Sequence, residues 1–282
     1  VSDQQPFPLA FRKGHGTGND FILLPDPDAT EGLTAAQVQR LTDRRFGIGA
    51  DGVLRVARTA DEPEVQDQST VAAWFMDYRN ADGSIAEMCG NGARLFARHL
   101  VEAGLERAGE FTIATRGGPC AVTADLTGDI TIDMGIPEPM RLRAMPLVTI
   151  GDRHWTATGV FIPNPHCVVF VDDLAEAGDF SQTPEVFPEA AFPHGANVEF
   201  VVRRGEGRIA MRVYERGVGE TLSCGTGACA AMIATAGQDA VTGPLTYVVE
   251  VPGGELTVAR RADEHVTLTG PAVFVAEGIT VR

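Results

Sequence analysis

The chain has 282 residues, 44% of them hydrophobic and 22% charged, which suits two domains of about 140 residues, each with a core of its own. A formal net charge of −15 argues against nucleic acid or an anionic membrane surface as a partner. Lys13 is the only lysine, so Schiff-base chemistry, pyridoxal phosphate included, has only that amine to use.

No apolar run reaches membrane-spanning length, and Val1–Ala10 lacks a basic segment leading into an apolar stretch. A cytoplasmic protein is expected. Strand signals at Leu9–Phe11 and Phe21–Leu24 flank a glycine-rich turn, Gly14–Asp20. Thr34–Thr42 reads as a short helix with Thr34 as N-cap. A second glycine-rich turn covers Arg45–Gly52, the acidic stretch Asp61–Ser69 reads as a solvated loop, and Val71–Tyr78 as a strand.

Two segments then share one plan. The first is a strand, Asn80-Ala-Asp-Gly83, Met88-Cys-Gly-Asn-Gly-Ala-Arg94 and a helix to about Ala103. The second is a strand at Arg208–Tyr214, Glu215-Arg-Gly-Val-Gly-Glu220, Ser223-Cys-Gly-Thr-Gly-Ala-Cys229 and a helix to about Ala236. Shifted by 135 residues, Met76, Cys89, Gly90, Gly92 and Ala93 meet Met211, Cys224, Gly225, Gly227 and Ala228. Two similar halves are implied, each presenting a cysteine at a helix start. A linker is expected near Asp133–Pro139. Many short strands and few helices indicate an α+β architecture.

The two cysteines carry the chemistry. Unpaired N–H groups and the dipole at a helix N-terminus favour a thiolate, and the glycines leave those N–H groups open to a ligand carboxylate. If two such half-sites face one another across a small amino acid, a thiolate takes the α-proton from one face and a thiol delivers a proton to the other. No cofactor and no metal are needed. The five cysteines show no disulfide framework, and neither Cys224 with Cys229 nor His166 with Cys167 has the usual zinc spacing. Cys120, Cys167 and Cys229 have no repeat partner and read as core residues.

The chain resembles the diaminopimelate epimerase family over nearly its full length. The resemblance rests on His15–Phe21, Arg45–Gly52, Asn80–Gly83, Met88–Arg94, Asn164–Val168 and Asn197–Phe200. It continues through Glu215–Gly217, Gly219–Thr221, Cys224–Cys229 and Pro252–Gly254. It implies two pseudo-symmetric domains, each a curled mixed or antiparallel sheet around a central helix. One spans 1–133 with 270–282 and carries Cys89; the other spans 134–269 and carries Cys224. It further implies Cys89 and Cys224 as the acid–base pair, with His166 and Glu215 tuning them. The N–H groups of Gly90, Asn91, Gly225 and Thr226 would hold the reacting carboxylate. Asn19, Asn80, Asn164, Asn197 and Arg216 would recognise the distal amino acid end, where a guanidinium fork suits a carboxylate. The implied product is meso-diaminopimelate, made from the L,L form for lysine and peptidoglycan precursors by a homodimer.

Two departures stand out: Gly52 where many members have glutamine, and Pro163 where glycine usually precedes Asn164-Pro165. Other readings stay open. A proline or hydroxyproline racemase of the same fold would share the cysteine pair but not the asparagine set. A thiol redox or metal-binding protein would use Cys224 with Cys229, and a binding module would have lost catalysis. Asn19 and Asn80 also suit turns for backbone reasons.

Overall fold

The computed structural model describes residues 9–25, 32–140, 142 and 144–280. Residues 1–8, most of the segment read for a targeting signal, lie outside these. None of the described helices is long and apolar enough to cross a membrane. The chain divides into two compact units, Val1–Ile132 with Pro271–Arg282, and Asp133–Gly270.

The first unit opens with β1 (Ala10–Gly16) and β2 (Asn19–Pro25). The run Gly14–Asp20, expected as a turn, is mostly strand. Only Thr17 and Gly18 turn the chain, with φ of 50° and 84°, the backbone that a two-residue hairpin demands. Helix α1 (Ala35–Thr42) is capped by Thr34, whose side chain accepts the Gln37 N–H while Gln37 reaches back to the Thr34 N–H. Then follow β3 (Gly52–Arg58), β4 (Trp74–Asn80), α2 (Gly90–Glu102), β5 (Gly109–Ile113), β6 (Cys120–Ala124) and β7 (Ile130–Asp133). The strand expected from Val71 starts three residues later and runs on to Asn80.

The chain's last strand, Val273–Ile279, pairs antiparallel with β1, and the sheet continues through β2, β3 and β4. β2 and β3 run parallel, Phe21 opposite Gly52, and both are buried on two faces. One face packs Ile22, Leu24 and Val53 on Val38 and Leu41 of α1. The other brings Phe21 and Leu54 against α2 at Gly92. α2 is buried from Gly90 to Val101, so it is the centre of this unit.

The acidic stretch is largely exposed, as expected of a loop, but it is anchored at several points. Val65 and Gln68 are buried, and Gln68 Nε2 donates to the Thr115 carbonyl at 2.9 Å. Glu64 pairs with Arg116 at 2.7 Å and Glu62 with Arg55. Both arginines also reach the fully buried Asp77, joined there by Arg79. Burial pushes the Asp77 carboxyl up, but the hydrogen bonds from Arg79 and Arg116 prevail and hold it below the usual range.

The second unit contains β8 (Glu138–Pro139), β9 (Leu147–Ile150), β10 (Arg153–Phe161), β11 (Pro165–Phe170), β12 (Glu185–Phe187), β13 (Asn197–Gly205), β14 (Arg208–Glu215) and β15 (Gly219–Thr221). After these come α3 (Gly225–Gln238), β16 (Leu245–Val251), β17 (Gly254–Arg260) and β18 (Val266–Gly270). Its strand order is β12-β9-β10-β11-β13-β14-β16-β17-β18. Strands from β10 to β18 contact α3, whose Gly225, Gly227, Ala228, Ala230, Ala231 and Ala234 are buried on all sides. Such a helix has no polar face to offer water and belongs inside the sheet.

Alternation along β11 and β13 separates two environments. Cys167, Val169, Val198 and Phe200 enter an outer core with Phe180 and Phe192. His166 pairs with Asn197 and Val168 with Glu199 in parallel register, so His166, Asn197 and Glu199 share the opposite face. Cys167 is therefore a core residue, as its sequence context suggests. Burial, with Glu199 nearby, pushes its thiol up.

Candidate active site

In each unit a cysteine is the N-cap of the central helix. Cys89 is extended, and its Sγ accepts the Gly92 N–H at 3.4 Å. Cys224 has the same conformation and accepts the Gly227 N–H at 3.4 Å. Both bonds satisfy an N–H that the helix leaves unpaired. The surroundings of the two caps differ.

At the first cap, Asn19 Oδ1 lies 3.7 Å from Cys89 Sγ and accepts from Asn91 Nδ2 at 3.2 Å. Asn19 Nδ2 donates to Asp51 at 2.8 Å. Asn91 Oδ1 accepts from the fully buried Arg94 at 2.9 Å. Behind Asp51, Arg44 bridges it to Asp20, which also takes Lys13 Nζ at 2.6 Å. Burial raises the Asp20 carboxyl, yet Arg44 and Lys13 carry it well below the ordinary range. The one lysine amine is thus held in an ion pair and on the Gly49 carbonyl.

Asn80 stands at the end of β4 opposite Gly52. Its Oδ1 accepts from Tyr78 at 2.8 Å and its Nδ2 donates to Ser84 at 3.0 Å. A Cβ on Gly52 would sit 2.8 Å from the Tyr78 ring and 2.6 Å from the Arg79 carbonyl. The Tyr78 ring fills the space that a side chain at Gly52 would need.

At the second cap, Cys224 is buried, with Thr226 Oγ1 3.4 Å from its sulfur. The strands place His166, Glu199 and Glu215 beneath it. His166 Nδ1 lies 2.7 Å from Glu199 Oε1, both side chains fully buried, and Nε2 lies 2.8 Å from Asn164 Oδ1. The Pro163 departure does not keep Asn164 from the His166 ring. Glu215 accepts from Thr221 at 2.5 Å. Asn197 Oδ1 accepts the Arg216 backbone N–H at 2.9 Å, and the Arg216 guanidinium reaches the His194 carbonyl at 3.4 Å.

The helix N-terminus does not win at this cap. Burial pushes the Cys224 thiol well above its ordinary value, and Glu215 and Glu199 push the same way; Thr226 and the Gly227 N–H offset them only in part. Glu215 is itself raised, by burial and then Glu199, against Thr221 and His166. These surroundings favour the thiol form of Cys224, the form that can donate a proton.

Glu199 is the residue that the sequence reading left without a role. Gly227 makes room for it, since a Cβ there would lie 2.8 Å from Glu199 Oε1. A charged residue two positions after Asn197 inside an apolar run was the available signal. Thr221 and Asp51 likewise lay in recognised motifs without a role. No group of three or more metal-ligating side chains occurs among the described residues.

Residues 11–139 and 160–275 match the family model described as diaminopimelate epimerase. The chain belongs to the diaminopimelate epimerase family. A diaminopimelate epimerase of Streptomyces coelicolor is 52% identical over 275 residues, covering 96% of this chain and 94% of the relative. One from Thermobifida fusca is 48% identical over 276 residues, covering 96% and 97%. Among solved structures, a phenazine biosynthesis protein of the PhzF family from Bacillus anthracis superposes with a TM-score of 0.70 at 16% identity, over 98% of this chain and 100% of that one. A hydroxyproline epimerase from Agrobacterium vitis, solved with trans-4-OH-L-proline, gives 0.65 at 16% over 96% and 92%. These two likenesses show the fold. Members of the diaminopimelate epimerase family are isomerases by name, and both cysteine caps lie inside the matched residues.

Proposed function

We propose that this protein interconverts L,L- and meso-diaminopimelate by a two-base reaction, with Cys89 and Cys224 as the acid–base pair and no cofactor. The observation carrying the proposal is the repeated cap. Each unit ends a strand-and-turn segment on a cysteine whose sulfur accepts the N–H three residues on, in a chain of this family.

One sulfur, as thiolate, removes the α-proton. The electron pair is delocalised into the α-carboxylate, held by the N–H groups at Gly90, Asn91, Gly225 and Thr226. The other sulfur, as thiol, gives a proton to the opposite face, and the two exchange protonation states. The raised Cys224 thiol suits it to give the first proton. His166 and Glu215 then tune its return to the thiol form. Asn19, Asn80, Asn164, Asn197 and Arg216 are assigned to the distal ammonium and carboxylate. Family membership supports the same reading's small-molecule substrate; a homodimer and a cytoplasmic location are part of the proposal.

The test is turnover of L,L-diaminopimelate in deuterated water. Deuterium should enter one α-carbon of the product, and Cys89→Ala and Cys224→Ala should each lower kcat by at least about 10²–10⁴-fold. Both variants should stay folded, the lost cap costing about 1 kcal/mol. Near-normal turnover by either variant, or product that keeps its original α-hydrogen, refutes the mechanism.

A further inference from the structure

The amide of Asn19 has two possible orientations, and its partners permit only one. Asp51 is a carboxylate and can only accept, so the Asn19 atom 2.8 Å from it is the NH₂. From the other side, Arg94 can only donate, so the Asn91 atom facing it at 2.9 Å is the carbonyl oxygen. Asn91 therefore turns its NH₂ toward Asn19, which meets it with Oδ1 at 3.2 Å. A pure donor at one end and a pure acceptor at the other thus fix the direction of two amides. The Asn19 oxygen so fixed is the atom 3.7 Å from Cys89 Sγ.

We propose that Arg94 and Asp51 are positioning residues which, through Asn91 and Asn19, hold a carbonyl oxygen against Cys89 and bias that cysteine toward its thiol form. The oxygen accepts from S–H and repels a thiolate. The Gly92 N–H, 3.4 Å from the same sulfur, acts in the opposite sense. Cys89 thus lies between an acceptor and a donor, and the orientation of the Asn19 amide shifts it toward one form or the other. A reversed Asn19 would aim its NH₂ at the sulfur and favour the thiolate. Asp51 is kept in place by Arg44, itself anchored on Asp20. Arg94 also holds the Gly90 carbonyl and Thr17 Oγ1, so the relay ties the β1–β2 hairpin to the helix cap. The inference rests on Cys89 being a proton-transferring residue, but its test needs no turnover.

Cys89 is the one cysteine of five that is not buried, so iodoacetamide alkylation there can be followed by mass spectrometry across pH. With Asp51→Ala the Asn19 NH₂ loses its acceptor and only Asn91 still orders the amide, so Asn19 reverses part of the time and alkylation at neutral pH should rise by up to about tenfold, the effect of roughly one pKa unit. Asn19→Ala should raise it comparably. At high pH, where Cys89 is ionised with or without the substitution, the variants should converge on the unsubstituted protein; a rise of equal size at all pH values means altered access and overturns the proposal. The double variant should match Asn19→Ala alone. If Asp51→Ala adds its full effect in the Asn19→Ala background, Asp51 acts as a distant charge and the relay is refuted. Should Asp51→Ala fail to fold, Asn19→Ala decides alone, and an unchanged neutral-pH rate overturns the idea. Loss of epimerase activity with these alkylation results intact would leave the relay standing and count against the proposed function only.

Discussion

Gly92 and Gly227 are equivalent in the repeat, and alanine at each should have different consequences. At Gly227 the new Cβ would lie 2.8 Å from Glu199 Oε1 and 3.3 Å from Cys224 Sγ. Ordinary contact begins near 3.4 Å, so the carboxylate must retreat by about 0.6 Å. It has nowhere simple to go, being fully buried and 2.7 Å from His166 Nδ1. Overpacking of this kind costs about 1–3 kcal/mol, and alanine returns about 1 kcal/mol in a helix interior. The net loss is then about 0–2 kcal/mol, a fall in melting temperature of a few degrees at this size. Turnover should suffer far more, up to about 10²-fold, because Glu199, His166 and the thiol shift together. At Gly92 the nearest atoms are Leu54 Cδ2 at 3.2 Å, Phe21 Cζ at 3.5 Å and Cys89 Cβ at 3.6 Å. A leucine methyl can yield a few tenths of an ångström, so Gly92→Ala should melt at or above the parent temperature with near-parent turnover. Coupled detection of L,L-diaminopimelate epimerisation together with thermal melting measures both. Equal loss of kcat in the two variants, or the larger loss at Gly92, would refute the packing argument.

Glu215→Gln removes a negative charge beside Cys224, so the Cys224 thiol should ionise at lower pH than in the parent. Ultraviolet thiolate absorbance in a Cys89→Ala background reads this, and an unchanged or higher midpoint contradicts it. His99 is brought down from 6.5 to about 4 by burial and then by Arg12, against Glu102. The unfolded chain therefore takes up this proton first. The stabilisation from neutral His99 is complete above about 6.5 and is lost as pH falls through about 4, by up to about 3 kcal/mol. His99→Phe, placed 6.3 Å from the Phe274 ring it already meets edge-on, should remove that slope. Urea unfolding at about pH 7 and about pH 4.5 checks it, and equal slopes in parent and variant would count against it.

The helix caps were legible because their signals are local. A strand, a turn and Cys-Gly-x-Gly before an apolar run need no distant partner to be read, and the Thr34 cap is of the same kind. The β1–β2 hairpin was harder, since glycine-rich sequence looks like a turn; here the glycines sit in paired strand, with Gly14 crowded by the Val273 carbonyl and Leu95. Asp77 gathers arginines from 22 and 39 residues away, and no local pattern announces that. Glu199 was hidden for a further reason. β13 is buried from Asn197 to Val202, so alternation marks neither face as polar, and only parallel pairing with β11 shows which side meets His166.

The repeat supplies two like caps, but the side chains around them differ. Cys224 meets carboxylates from two neighbouring strands, while Cys89 meets a neutral amide from a hairpin at the other end of its unit's sequence. A charge beside a buried sulfur is a strong and lasting bias; an amide is a weak bias whose sign depends on its orientation. A two-base reaction needs its sulfurs in opposite protonation states at the start of each turnover. Identical surroundings would leave that choice to chance. On the proposed reading, unlike surroundings make Cys224 the first donor and leave the state of Cys89 to its neighbours, the Asn19 amide among them.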